Sequence, residues 1–105
     1  MYHNKTVSVI FPAYNEENYI RAAVEDFFSN GVVDEIVVVN NNSKDRTDAE
    51  ARKTAARVVL ETKQGYGNAL QRGLREARGD IIILAEPDST FMGKDVLKLL
   101  AYSDD

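Results

Sequence analysis

Two carboxylates one residue apart, Glu86 and Asp88 with Pro87 between them, follow the wholly apolar run Ile81-Ile82-Ile83-Leu84-Ala85. If the loop stays extended, both side chains point to one side and could share a hard cation through oxygen ligands. A magnesium or manganese ion held there could bridge a diphosphate and offset the charge that builds up on a departing nucleotide. The plainer reading is a solvated acidic turn followed by Ser89-Thr90 caps, and the pair alone leaves both open.

Three other polar clusters could contribute. The amides of Asn40, Asn41 and Asn42 each offer donors and acceptors suited to a base or ribose edge, although Asn42 with Ser43 fits a turn and helix cap better. Tyr14 could stack on a base or cover the first helix. Gly65 and Gly67 allow close backbone approach just before a helix N-terminus, a ready anion site, and Lys63 stands beside them. No GxGxxG or GxxxxGK[ST] pattern occurs, so dinucleotide and P-loop readings have no support. His3 lies by the terminus and is assigned no role.

Composition narrows the class. The 105 residues suit one domain, and 44% hydrophobic with 29% charged residues is ordinary for a globular chain. A formal charge of -4 argues against general affinity for nucleic acid. Without cysteine there are no disulfides, thiolate metal sites or cysteine nucleophiles. No apolar stretch approaches the ~20 residues of a membrane span.

The elements that must position these clusters repeat one theme: a β-branched run, a loop, then a helical pattern, as in parallel βαβ units. The first strand is Val7 to Phe11, with Pro12 expected to end it. Asn15 is expected to cap the first helix, with Glu16 and Glu17 in its first turn, Ile20, Val24, Phe27 and Phe28 on one face, and Gly31 as its stop. The second strand, Glu35 to Val39, reads as buried on both faces. A polar outer helix follows over Asp45 to Arg57, and Val58 to Leu60 form a third strand. Ala69, Leu70, Gly73, Leu74 and Ala77 mark the third helix, which Gly79 closes. Ile81 to Ala85 read as an interior fourth strand, and a last helix carries Val96, Leu97, Leu99 and Leu100.

Ligands of open parallel sheets bind beyond the carboxyl ends of the strands, where strand order reverses. Every unusual polar cluster follows a strand. With right-handed crossovers, the order 3-2-1-4 puts the first and fourth strands side by side and their clusters at one crevice. The fold expected is α/β, a Rossmann-like parallel sheet with helices on both faces.

Val7 through Glu17, Glu35 through Thr47, Gly65 through Leu70 and Gly79 through Asp88 resemble, in order, the opening blocks of family 2 glycosyltransferases of the GT-A fold. Within that family the chain looks closest to polyprenyl-phosphate sugar synthases and related polysaccharide enzymes. The resemblance implies a nucleotide-diphosphate sugar donor, a Mg2+ or Mn2+ cofactor and inversion at the anomeric carbon. It places Pro12, Ala13, Tyr14 and Glu16 on the nucleoside pocket and Asn40 and Asn41 at the base or ribose. Lys63 and Gly65 fall near phosphate, and Glu86, Pro87 and Asp88 at the metal end. Asp88 is the expected metal ligand. Glu86 replaces the first aspartate of the DXD motif and has a longer arm. Asn40 and Asn41 stand where aspartates are common, and Gln64 where a basic residue is common, so that phosphate contact could have moved to Lys63.

The resemblance also implies that acceptor site and general base come from later sequence, so no catalytic residue is expected here. The chain is read as the truncated donor-binding half of a longer enzyme. Its acceptor would be a polyprenyl phosphate or saccharide, and its location cytoplasmic unless sequence beyond residue 105 adds a membrane attachment. The fourth strand's free edge is expected to pair, with a second copy as the partner named. Two alternatives stand beside this reading. A sugar-phosphate nucleotidyltransferase should show a glycine-rich, basic signature after the first strand, where Pro12-Ala13-Tyr14-Asn15-Glu16 stands. A non-catalytic nucleotide-binding or receiver-like module should carry a lysine after a fifth strand, and there is none.

Overall fold

The computed structural model describes residues 1–86. Pro87, Asp88, the Ser89-Thr90 caps and the helix expected around Val96 to Leu100 lie outside the described residues. The elements are β1 (Val7–Ala13), α1 (Ile20–Ser29), β2 (Glu35–Asn40), α2 (Thr47–Ala51), β3 (Arg57–Leu60), α3 (Tyr66–Glu76) and β4 (Ile81–Leu84). The four strands form one parallel sheet in the order β3-β2-β1-β4, as expected. Ser8 pairs with Glu35 and Val7 with Ile81, so β1 is central among the described strands.

Alternation along the strands divides the core between the two faces. Val7, Val9, Phe11, Ile36, Val38, Ile81 and Ile83 pack with Ile20, Val24 and Phe27 of α1 and Ala51 of α2. Phe11 and Phe27 meet edge to face, their ring centroids 5.1 Å apart. On the other face Ile10, Val37 and Val39 pack against Ala69 of α3. That helix lies unusually close because Gly73 has no Cβ. One there would collide with Ile10 Cγ2 and come within 3.3 Å of Val39 Cγ2.

Several sequence expectations need correction. Pro12 does not end β1, which runs on to Ala13 with Pro12 paired to Val39. The Ile10 carbonyl accepts from Ala85 on the β4 side and the Ala13 carbonyl from Asn41 on the β2 side. By that alternation residue 12 faces β4, whose pairing stops at Leu84, so the missing N–H costs the ladder nothing. Asn15 does not cap α1. The helix starts at Ile20 with Glu16 and Glu17 outside its first turn, and Gly31, at φ +80°, stops it as anticipated. The helix expected over Asp45 to Arg57 shrinks to Thr47–Ala51. Residues 52–56 form turns in which Thr54 N and Oγ1 both donate to the Ala51 carbonyl, and Arg57 already belongs to β3.

On the α3 face the burial is narrower than the pattern suggested. Leu74 is exposed, and α3 ends at Glu76, with Ala77 already extended. Gly79 serves a close approach instead, since a Cβ there would lie 2.5 Å from Ser8 Oγ and 2.8 Å from Ser8 N. In β4, Ile81 and Ile83 are buried while Ile82 and Leu84 are exposed, so the strand is not covered on both faces by the described residues. Loops opposite the polar clusters also do more than turn the chain. Asp34 accepts from Val7 N at 2.7 Å and Asp80 from Thr6 N at 3.0 Å, which fixes where β1 begins.

Candidate donor site

The loops after β1, β2 and β3 and the residues after β4 converge at the carboxyl end of the sheet around a cleft of about 350 Å3. Its lining is Pro12, Ala13, Tyr14, Glu16, Asn41, Gln64, Gly65, Tyr66, Ala69 and Glu86. Thus seven of the sequence-nominated residues come together: Pro12, Ala13, Tyr14, Glu16, Asn41, Gly65 and Glu86. Tyr14 and Tyr66 are both about half exposed there, which leaves aromatic surface for a flat ligand.

Asn41 is buried and its side chain is spent on the protein. Nδ2 donates to the carbonyls of Glu61 and Lys63, both at 3.0 Å, while Oδ1 accepts from Gly65 N at 2.9 Å. The two carbonyls and one N–H settle the amide's orientation, because the flipped form would mismatch all three. Asn41 therefore holds the loop that leads into α3. Asn40 is also buried but does not line the cleft. Its Oδ1 accepts from Ser43 N and its Nδ2 donates to Asp48, so its amide shapes the turn after β2. Lys63 is exposed and does not line the cleft, its carbonyl being Asn41's partner. Pro87 and Asp88 lie outside the described residues.

Gly65 precedes α3 at φ +132°, a backbone conformation that glycine tolerates best. No side chain caps the helix, which is 11 residues long and opens at Gly65 and Tyr66 on the cleft. Sequence reasoning did not nominate Gln64, Tyr66 or Ala69 as site residues. Tyr66 carried a usable signal, a large aromatic between two glycines where the third helix opens. Ala69 did not, because it belongs to the buried stripe and reaches the cleft only through the close seat of α3.

The loop after β1 is tied to the chain after β2. Asn15 N donates to Ser43 Oγ, Lys44 N to Asn15 Oδ1, Glu16 N to Thr47 Oγ1 and Glu17 N to Asp45 Oδ2. Burial by itself would raise the Asp45 carboxyl's pKa. Hydrogen bonds from the Thr47 hydroxyl, the Thr47 amide and the Glu17 amide outweigh it and hold the group below the usual aspartate range. Among the described residues no three acidic or histidine side chains gather to hold a metal ion. Glu86, exposed on the cleft, supplies a hard oxygen donor of the type magnesium and manganese accept.

Comparison with known proteins agrees with this architecture. RfbJ of Shigella flexneri is 34% identical over 91 residues, covering 87% of this chain and 70% of RfbJ. Glucosyl-3-phosphoglycerate synthase of Mycobacterium tuberculosis is 34% identical over 94 residues, covering 80% of this chain and 29% of that enzyme. A crystal structure of the M. tuberculosis synthase with Mn2+, uridine diphosphate and phosphoglyceric acid matches with a TM-score of 0.73 at 34% identity. It covers 81% of this chain and 34% of that one. A further mycobacterial protein of known structure matches with a TM-score of 0.84 at 31% identity, over 95% of this chain and 37% of its own. The chain thus spans most of RfbJ but only about a third of the synthase. Residues 8–105 match Glycosyl transferase family 2, and the parallel 3-2-1-4 sheet is the GT-A architecture seen in these relatives. The chain belongs to glycosyltransferase family 2.

Proposed function

We propose that this chain is the nucleotide-sugar-binding part of an inverting, metal-dependent glycosyltransferase that takes a UDP- or GDP-sugar. The observation that carries the reading is the cleft itself, which brings Tyr14 and Glu16 from the loop after β1 to the same wall system as Glu86 after β4. Pro12, Ala13, Tyr14 and Glu16 would line the nucleoside, with Gly65 and the N-terminus of α3 toward the phosphates. Lys63, on an exposed loop, would approach phosphate only from outside the cleft. Uridine is favoured, because a related synthase has been solved with uridine diphosphate and Mn2+. Glu86 and Asp88 would hold Mg2+ or Mn2+, which when bound would offset charge on the departing diphosphate.

The acceptor in this reading is a polyprenyl phosphate or a saccharide, although the related synthase was solved with phosphoglyceric acid. In this reading the chain taken alone binds donor weakly and does not turn over, and its location is cytoplasmic. A second copy at the outer edge of β4 is part of the same reading. It is supported by the strand's terminal place among the described strands. Calorimetric titration of the chain and of the intact protein with UDP and GDP, with and without Mn2+ and on Asp88→Ala, tests the donor site. Metal-dependent binding lost in the variant is the expected outcome. No binding by the folded, intact protein overturns the reading.

A further inference from the structure

The segment between β1 and α1 belongs to neither element; its Glu16 carbonyl accepts from Tyr19 N and Ile20 N at the start of α1, and it supplies Tyr14 and Glu16 to the cleft. Its amides at 15, 16 and 17 all donate to side chains that follow β2. The buried Thr47 is central to this arrangement. Its hydroxyl proton goes to Asp45 Oδ1, which as a carboxylate only accepts, and this turns a lone pair toward Glu16 N at 2.7 Å. Asp45 Oδ1 also takes Thr47 N at 2.9 Å, and Oδ2 takes Glu17 N at 3.2 Å.

We propose that Asp45 and Thr47 are positioning residues of the donor site, holding the Glu16 and Glu17 amides so that Tyr14 and Glu16 stand on the cleft wall. The proposal rests on the donor-site reading above. A purely local role would be an Asx turn opening α2, and the Asp45 to Thr47 N bond satisfies that need by itself. The bonds to Glu16 and Glu17 cross 31 and 28 residues and contribute nothing to a five-residue helix. Asp45 is an anion throughout the neutral range, and the bonds it accepts lower its pKa further.

The test is calorimetric titration of the intact protein with UDP and Mn2+, comparing wild type with Thr47→Val, Thr47→Ser and Asp45→Asn. Thr47→Val keeps the shape and leaves the Glu16 amide without its acceptor, so UDP binding should weaken about tenfold, whereas Thr47→Ser should stay within about twofold. In turnover the donor KM should rise in Thr47→Val more than kcat falls. Amide exchange at Glu16 and Glu17 should accelerate while exchange in β1 does not. A role confined to stability would lower the melting temperature and leave the Kd of the folded protein unchanged, which overturns the proposal. Equal weakening in the valine and serine variants also overturns it, because it would assign the effect to packing. If Thr47→Val does not fold, Asp45→Asn carries the test and should weaken UDP several-fold. A wild type that binds no nucleotide with any metal defeats the donor-site reading, and the inference with it.

Discussion

Asn41 Oδ1 accepts a hydrogen bond from Gly65 N at 2.9 Å, tying the end of β2 to the residue that opens α3. Its Nδ2 binds the carbonyls of Glu61 and Lys63, so one buried amide satisfies three backbone groups of a loop with no other regular structure. Asn41→Asp keeps the acceptor but sets a carboxylate against two carbonyls. Urea unfolding should show a loss of about 2 kcal/mol, with faster exchange at the Gly65 amide. A stability equal to wild type would mean that the loop holds without the amide.

The contrast between Gly73 and Gly67 gives a second prediction. Both lie in α3, where alanine is better than glycine by about 1 kcal/mol. A Cβ at Gly67 meets nothing within 4 Å, so Gly67→Ala should stabilise by up to about that amount. At Gly73 the new methyl collides with Ile10 and presses on Val39, and overpacking of about 1–3 kcal/mol exceeds the helical gain. Gly73→Ala should therefore lower the melting temperature while Gly67→Ala raises it. The same sign for both would show that α3 can lift off the sheet freely.

How far the fold was legible follows from which residues act locally. The strands, their parallel order and the buried face of α1 could be read because Val, Ile and Phe act through burial, which sequence periodicity records directly. Asn15 misled because its φ of +54° and its bond to Lys44 N serve a neighbouring loop 29 residues away rather than a helix of its own. Asn41 could be placed at the cleft but not given its work, since the partners at Glu61, Lys63 and Gly65 exist only once β3 lies beside β2. Nor did the sequence distinguish Ile82 and Leu84 from Ile81 and Ile83. An unbroken apolar run does not say which face is covered.

Glu35 makes the end of the sheet opposite the cleft sensitive to acid. Burial alone would raise the pKa of Glu35. Hydrogen bonds from Arg78 N, Ser8 and Arg57, with the Arg57 charge, reverse this and set it below the ordinary glutamate value. A carboxyl depressed in the folded state contributes stability that is fully present above its unfolded pKa, about 4.3, and is lost as pH falls through the lower folded value. Glu35→Gln should therefore be less stable than wild type at pH 7, and the difference should shrink as pH falls from about 5 toward 3. Melting temperatures across that range check it. A gap that widens in acid would reverse the assigned sign.

Phe27 closes the α1 face against Phe11, their ring planes 84° apart, and it is almost wholly buried. Removing that ring leaves a cavity flanked by a strand that also supplies Pro12 and Ala13 to the cleft. Phe27→Ala should cost about 3–5 kcal/mol, and Phe27→Leu less than half of that. Differential scanning calorimetry of the two variants decides it. A small loss in Phe27→Ala would mean that α1 collapses into the space.

Metal removal tests the two acidic positions proposed for the donor site. Glu86 stands on the cleft, but its arm is one methylene longer than the aspartate common in the family, whereas Asp88 keeps the shorter arm. If the cation supplies most of the diphosphate's counter-charge, EDTA should weaken UDP binding to the intact protein by at least about tenfold. Asp88→Ala should reproduce that loss even in excess Mn2+. Glu86→Gln, which removes charge but keeps an oxygen donor, should weaken UDP by only about threefold and still respond to Mn2+. The measurement is UDP affinity against Mn2+ concentration for the three proteins. If Glu86→Gln instead abolishes the metal response while Asp88→Ala preserves it, the primary ligand is the glutamate, and the longer arm reaches the ion.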